Sequence, residues 1–313
     1  MEDVPVIREL TDGDFPALER FHRDCYGRPL DRALFSWLHR QAPTGPTLDL
    51  VADAPGAGIV GTYSLLPLRV RFRDQVVTAS LAVGAAVHPA HRRRGVFTCL
   101  GREILSRAAA AGHTFTLGKP NAQALPGHRR AGFRVLSDLV VLRRAPPPPR
   151  AHACREVGAF DERLSEAWKR LSEGLSLAVA RDAAWMNWRL ERPGGSYHRL
   201  ILADGQTLRG WLVLKRYDGT KGQIAHILDL WAEDAGALDE LLAGAAGLSQ
   251  GCREINLWVC ERDVRRPALA RRGFTPADRV RDWLIGFSHQ GDAAFSGLDR
   301  GGWVFSYLDN DVH

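Results

Sequence analysis

The sequence predicts an α+β fold, a mixed and mostly antiparallel sheet flanked by helices, built twice in succession as two similar domains. Three observations carry this. Along the first half, apolar residues pass from helical spacing to strand-like alternation and back. The run Ala145-Pro146-Pro147-Pro148-Pro149-Arg150 divides the chain nearly in half with a stiff, extended segment suited to neither a helix nor a sheet interior. The two halves then repeat the same landmarks. Trp37 and Asp53 are spaced as Trp188 and Asp204 are, Pro43 and Pro193 fall between them, and each Asp precedes a strand carrying Gly61 or Gly210. Further on, Arg130-Ala131-Gly132-Phe133 parallels Arg271-Arg272-Gly273-Phe274, each followed by a β-forming run. The expected organisation is a domain over residues 1–144, a Pro-rich linker over 145–152, and a second domain over 153–313 ending in an acidic tail.

Within the first copy, residues 14–27 and 30–41 place apolar side chains at helical spacing and predict two helices. Residues 47–53, 58–72 and 78–87 alternate or run apolar between Gly, Asp and Pro punctuation and predict a strand meander. A helix over 97–112 closes at Gly112, and a strand over 113–119, a short helix before Gly132 and a strand over 133–144 complete the order ααβββαβαβ. Gly56, Gly58 and Gly61 spell the dinucleotide fingerprint GxGxxG, but β-forming residues follow where that motif must open a helix, so a hairpin turn is expected.

Bulk properties narrow the function. A chain of 313 residues holds two cores, and 45% apolar with 25% charged residues is ordinary for a globular protein. No apolar run approaches the roughly 18 residues of a membrane span, and the charged start lacks a signal-peptide core, so a cytoplasmic protein without membrane contact is expected. The net charge is +6, but just four of the 42 basic residues are Lys and no long basic run occurs, which argues against nucleic acid as partner. Five scattered cysteines without a CxxC predict reduced thiols acting as small buried hydrophobes. His88 and His91 form an HxxH with no third ligand close by, so no metal is expected. A monomer and a homodimer are equally compatible with the sequence.

The informative segment is Val87-His88-Pro89-Ala90-His91-Arg92-Arg93-Arg94-Gly95-Val96-Phe97, at a strand-to-helix junction. Such a turn exposes consecutive backbone N–H groups, the helix dipole adds partial positive charge, Gly lets the backbone come close and the arginines add charge: the physics of a phosphate cradle. A solvated basic turn is the plainer alternative.

This run resembles the V-x-P-x-x-R-x-x-G-x-G/A signature of the GNAT (GCN5-related) N-acetyltransferases, matching at Val87, Pro89, Arg92 and Gly95. The family's second pattern, N-x-x-A-x-x-x-Y-x-x-x-G-F, is met at Asn121, Ala124, Gly132 and Phe133, with His128 where Tyr is usual. The resemblance covers residues 1–144, with the second half similar in pattern alone, as in tandem members with a degenerate second copy. It implies acetyl-CoA as cosubstrate, held by Ala85, Ala86, Val87, Arg92, Arg93, Arg94, Gly95, Val96, Phe97, Thr98 and Asn121. It also implies transfer of the acetyl group to the amine of a small molecule by direct attack. Another acyl-CoA, a carrier protein, or a non-catalytic acyl-CoA-binding role are the alternatives.

Two departures bear on chemistry. Phe97 replaces a small residue in the cradle. His128 replaces the Tyr that in the family protonates the departing thiolate, a task open to imidazole at its ordinary pKa of about 6.5. No Asp or Glu lies on residues 80–87, so the amine's base is sought elsewhere, and Asp309 and Asp311 in the acidic tail are the candidates. In the second half the strand over 222–232 leads into Glu233-Asp234, with carboxylates in place of arginines, while Arg262 and Leu269 stand at the Asn and Tyr places. That copy is expected to hold no cofactor and to shape the acceptor pocket.

Overall fold

The computed structural model describes residues 5–277, 282–291, 295, 298 and 302–310. The first half runs β1 (Val6–Glu9), α1 (Phe15–Tyr26), α2 (Arg32–Arg40), β2 (Leu48–Ala54), β3 (Gly58–Phe72), β4 (Gln75–Val87), α3 (Val96–Ala110), β5 (Phe115–Gly118), α4 (Leu125–Ala131) and β6 (Arg134–Arg144). Then follow β7 (Arg155–Glu156), α5 (Glu162–Leu171), β8 (Leu175–Val179), α6 (Ala183–Leu190), β9 (His198–Asp204), β10 (Thr207–Gly219) and β11 (Gly222–Ala232). The last elements are α7 (Ala235–Leu248), β12 (Glu254–Cys260), α8 (Arg266–Ala270), β13 (Thr275–Pro276), β14 (Asp282–Ser288) and β15 (Gly302–Val304). The α+β class and the expected order of the first half hold, with β1 added before α1. Residues 55–57 form a hairpin turn between antiparallel β2 and β3, with Gly56 and Gly58 at positive φ, as the rejected fingerprint required.

The two compact units are not the two linear halves. One comprises residues 1–69, 77–136 and 282–297, the other 70–76, 137–281 and 298–313. The first carries the strand order β1-β2-β3-β4-β5-β14. β4 and β5 are parallel, whereas β1–β2, β2–β3 and β5–β14 are antiparallel. Its core is two-sided, as alternation along the strands demands. Val96, Leu100, Ile104 and Ala108 of α3 recur every four residues and pack with Leu50, Ala52, Val60 and Leu65. Leu18, Phe21 and Phe35 of α1 and α2 pack with Val51 and Ile59. Gly61 permits the close approach of α3, because a Cβ there would stand 2.8 Å from Leu100 Cδ1.

The second unit carries β12-β11-β10-β9-β7, with residues 139–144 of β6 antiparallel to β12. β11 and β12 are parallel and joined by α7, as β4 and β5 are by α3. Ala237, Leu238, Leu241 and Ala245 of α7 pack with Leu200, Leu202, Leu212, Ile227 and Leu257. All five cysteines are free; Cys252 and Cys260 are buried as expected, but Cys99 is exposed. No helix among the described residues is long and apolar enough to cross a membrane.

Candidate functional site

The expected cradle begins with a strand that outruns its neighbour. β4 and β5 pair at Ser80↔Thr116 and Leu81↔Leu117, locked by a 2.8 Å bond between the buried Ser80 and Thr116 hydroxyls. β5 ends at Gly118 while β4 continues to Val87. On its other side β4 stays tied to β3, through Thr62 Oγ1 donating to the Gly84 carbonyl at 2.8 Å and His88 N–H donating to the Val60 carbonyl at 2.9 Å. Gly84 takes φ +59, a left-handed kink within the strand. The half-buried Ala85, Ala86 and Val87 thus lie on a stretch whose β5-facing edge has no registered strand partner among the described residues. Such an edge can pair with an extended ligand that carries amides.

Beyond Val87 the chain makes a short 3-10 turn, Pro89–His91, in which the Ala90 N–H donates to His88 Nδ1 at 3.2 Å. Arg92 Nε donates back to the Val87 carbonyl at 3.2 Å, which fixes the turn against the strand end. Arg93 is left-handed at φ 62, one of two such non-glycine residues among those described, and Gly95 follows at φ 84. A left-handed Arg costs of order 1 kcal/mol, and strain of this kind gathers at functional turns. α2, α5, α6 and α7 each begin with an Asp whose carboxylate accepts a first-turn N–H. α3 begins with Gly95 and no side-chain cap. The N–H groups of Val96, Phe97 and Thr98 have no intrahelical acceptor by construction and are available to an anion, beside the exposed Arg92 and Arg93.

The structure places the remaining predicted residues less uniformly. Val96 is buried in the core, so its contribution is confined to its backbone. Phe97 turns its ring inward, with ring centroids 5.0 Å from His128 and 5.6 Å from Tyr63. Gly127 makes room for it, since a Cβ there would meet Phe97 Cδ1 at 2.5 Å. Asn121 is exposed, and its Oδ1 accepts the Ala124 N–H at 2.9 Å, capping the turn that enters α4.

His128 is 4% exposed, enclosed by Tyr63, Phe97 and Phe133. Burial drives its pKa down to about 4, so the protonated fraction expected near neutrality is absent. Its Nδ1 lies 2.9 Å from the Tyr63 hydroxyl. Burial also raises the Tyr63 pKa, so the phenol keeps its proton and the contact joins two neutral groups, the donor being set by the imidazole tautomer. Tyr63 and Gly84 were missed from sequence. A glycine inside a strand pattern signals a bulge and was a usable cue; nothing local links Tyr63 to His128.

Asp309 is not in an exposed tail. It is buried in the second unit, 2.7 Å from Arg181, and the Ser306 N–H donates to its Oδ2 at 2.7 Å. Burial raises its pKa, opposed by Arg181. A carboxylate so enclosed cannot reach out to a substrate, and its role as base is withdrawn. Asp311 lies outside the described residues. The His88–His91 pair has ring centroids 5.7 Å apart, and no cluster that could hold a metal occurs among the described residues.

Residues 6–136 match the family model described as an acetyltransferase (GNAT) domain. Among curated proteins none matches the chain. A crystal structure of a GCN5-related N-acetyltransferase from Anabaena variabilis is similar with a TM-score of 0.72 at 14% identity, covering 91% of this chain and 72% of that one. A probable N-acyltransferase from Enterococcus faecalis gives 0.71 at 11% identity, with 91% and 72% covered. A GCN5-related N-acetyltransferase from Kribbella flavida gives 0.68 at 17%, with 91% and 71% covered. At these identities the likeness shows the fold, and the family match agrees with the strand edge and uncapped helix just described. Residues 6–136 are therefore similar to GNAT acetyltransferase domains in sequence pattern and fold.

Proposed function

We propose that the chain is an N-acetyltransferase that moves an acetyl group from acetyl-CoA to the amine of a small molecule. The observation that carries this reading is the continuity of the unpaired β4 edge with the uncapped start of α3. One end suits an amide-bearing pantetheine arm and the other a diphosphate. The backbone of Ala85, Ala86 and Val87 would hold the arm, and the N–H groups of Val96, Phe97 and Thr98 with Arg92, Arg93 and Arg94 would hold the phosphates. A strand N–H near the Gly84 kink would stabilise the oxyanion as the neutral amine nitrogen attacks the thioester carbonyl; the C–S bond then breaks, and the proton that leaves the nitrogen goes to the departing thiolate, giving the amide and free coenzyme A. His128 is then a neutral hydrogen-bonding partner of Tyr63 and not a proton source. Asn121 supports the site by shaping the entry to α4. The second half is read as a degenerate copy of the same fold.

Release of free thiol from acetyl-CoA with a panel of small amines tests the reaction. Amine-dependent release supports it. Release with longer acyl-CoAs alone, or transfer to a carrier protein, redirects it to another acyl donor or acceptor, and binding without turnover reduces the chain to an acyl-CoA-binding module.

A further inference from the structure

In the second unit, β11 and β12 part beyond a short parallel pairing, and residues near the end of the described chain meet both strands. β11 and β12 pair in parallel at Ile224↔Glu254, Ala225↔Ile255 and His226↔Asn256, and the registered pairing goes no further although β11 runs on to Ala232 and β12 to Cys260. Gly302–Val304 pair in parallel with β8, and Ser306 and Tyr307 just beyond contact both strands where they part. Tyr307 donates its hydroxyl to Asn256 Oδ1 on β12 at 3.2 Å, and its ring lies 4.3 Å from Trp258 and 5.1 Å from His226. Ser306 Oγ donates to Asp229 Oδ1 on β11 at 3.1 Å. Trp303 N–H donates to the Arg262 carbonyl at 3.1 Å, just past the end of β12.

The segment is anchored as tightly as a core element. Residues 303–310 are all buried, at 3% exposure or less. Arg181, itself without exposed surface, bridges Asp229 at 3.0 Å and Asp309 at 2.7 Å, and Trp211 Nε1 donates to Asp229 at 2.9 Å. Arg189 donates to the carbonyls of Leu308 and Asn310. At the start of α7, where β11 hands over to the helix, Asp234 Oδ1 accepts the Ala237 N–H at 2.8 Å, and Arg209 holds the same carboxylate at 2.6 Å. A carboxylate therefore uses the helix donors that Gly95 leaves open at α3.

We infer that the second unit is permanently filled by its own chain: residues 303–309 stand in for an acyl-CoA arm between β11 and β12, and Asp234 stands in for the diphosphate at α7. The parted strand pair is kept but turned from a ligand site into core, so the chain takes up one equivalent of acyl-CoA and the second unit is stable without any. The identity of the excluded ligand rests on the function proposed above; the occupancy by residues 303–309 does not.

Hydrogen–deuterium exchange on the full chain, with and without acetyl-CoA, tests this. Backbone amides of 227–238 and 257–260 should exchange slowly and identically in both conditions, whereas those of 82–98 should slow when acetyl-CoA is added. The double variant Ser306→Ala, Tyr307→Ala should speed exchange at 227–232 and 257–260 by about tenfold or more, as expected when local opening becomes easier. It should leave the response of 82–98 to acetyl-CoA intact. Tyr307→Phe, which keeps the ring, should show a smaller change. Slowing of 227–238 by acetyl-CoA, or unchanged exchange there in the double variant, overturns the inference. If acetyl-CoA alters neither unit, the function proposed for the first unit fails, and the comparison of variant with parent still decides the role of residues 303–309.

Discussion

Acidification from pH 7 to pH 4 is expected to remove a stabilisation that resides at His128. Its imidazole has a pKa of about 4 in the folded chain against 6.5 unfolded, because burial disfavours the charged ring. Between these values the unfolded chain holds a proton that the folded chain lacks, so stability rises with pH across the window and falls as pH drops. The contribution is complete above about pH 6.5 and gone near pH 4. At about 1.4 kcal/mol per pH unit the gap amounts to about 3 kcal/mol, and at 4% exposure solvent screening takes little from it. His22, His113 and His289 shift in the same direction, also through burial, so the wild-type slope alone is not diagnostic. The difference from His128→Gln is, since glutamine offers Tyr63 an acceptor without titrating. Urea midpoints at half-unit steps should show the wild type losing about 3 kcal/mol more than the variant on acidification. Parallel slopes, or an NMR titration of the His128 ring near 6.5, would refute the reasoning and return the residue to the role of general acid.

Three further outcomes follow from named contacts. Gly61→Ala should cost about 1–3 kcal/mol in urea denaturation and loosen the seat of α3, because its Cβ would meet Leu100 Cδ1 at 2.8 Å and Val96 Cγ1 at 3.1 Å. Arg181→Ala should cost about 3–5 kcal/mol by leaving Asp229 and Asp309 facing each other unpaired, and Asp309→Asn markedly less; equal effects would show that the ion cluster is not the source. Charge reversal of Arg92 and Arg93 together should weaken acetyl-CoA binding about tenfold to a hundredfold by calorimetry, with the loss shrinking in high salt because both side chains are exposed.

Long elements were legible because burial on one face imposes a period, and α1, α2, β3 and α3 show it plainly. β1 was not, since Val6–Glu9 is a four-residue edge strand that pairs with β2 on one side and carries no clear alternation. The runs that became β6 and β14 read correctly as strands, but period two says which face is apolar and nothing about which neighbour accepts the hydrogen bonds. Hence residues 139–144 pairing with β12, and β14 pairing with β5, had no sequence signature. At the site, the cradle was readable because its chemistry is local: consecutive N–H groups, a glycine and arginines in one turn. His128 was found by motif position, while its protonation state depends on Tyr63, Phe97 and Phe133, brought together by the fold. Asp309 misled for the same reason, as an acidic, aromatic run looks solvent-facing until its buried partner Arg181 is known.

The residue before each crossover helix separates an open site from a closed one, and this yields an asymmetric prediction. Gly95 at φ 84 leaves the first-turn donors of α3 uncapped, whereas Asp234, in extended backbone, spends one donor of α7 on its own carboxylate. Gly95→Asp should therefore close the first site alone. The left-handed backbone costs the aspartate about 1 kcal/mol, which the fold tolerates, while a carboxylate at the helix start both competes for the donors and repels a diphosphate. Acetyl-CoA affinity should fall about a hundredfold or more, which is about 3 kcal/mol, with the unfolding midpoint moved by a few degrees at most. The reverse change, Asp234→Gly, should open nothing, because Ser306 and Tyr307 still hold the segment against β11 and β12. Calorimetry on both variants decides it. A Gly95→Asp protein that binds acetyl-CoA like its parent would mean that the α3 donors do not hold the phosphates, and a second equivalent bound by Asp234→Gly would mean that the carboxylate was the sole barrier in the second unit.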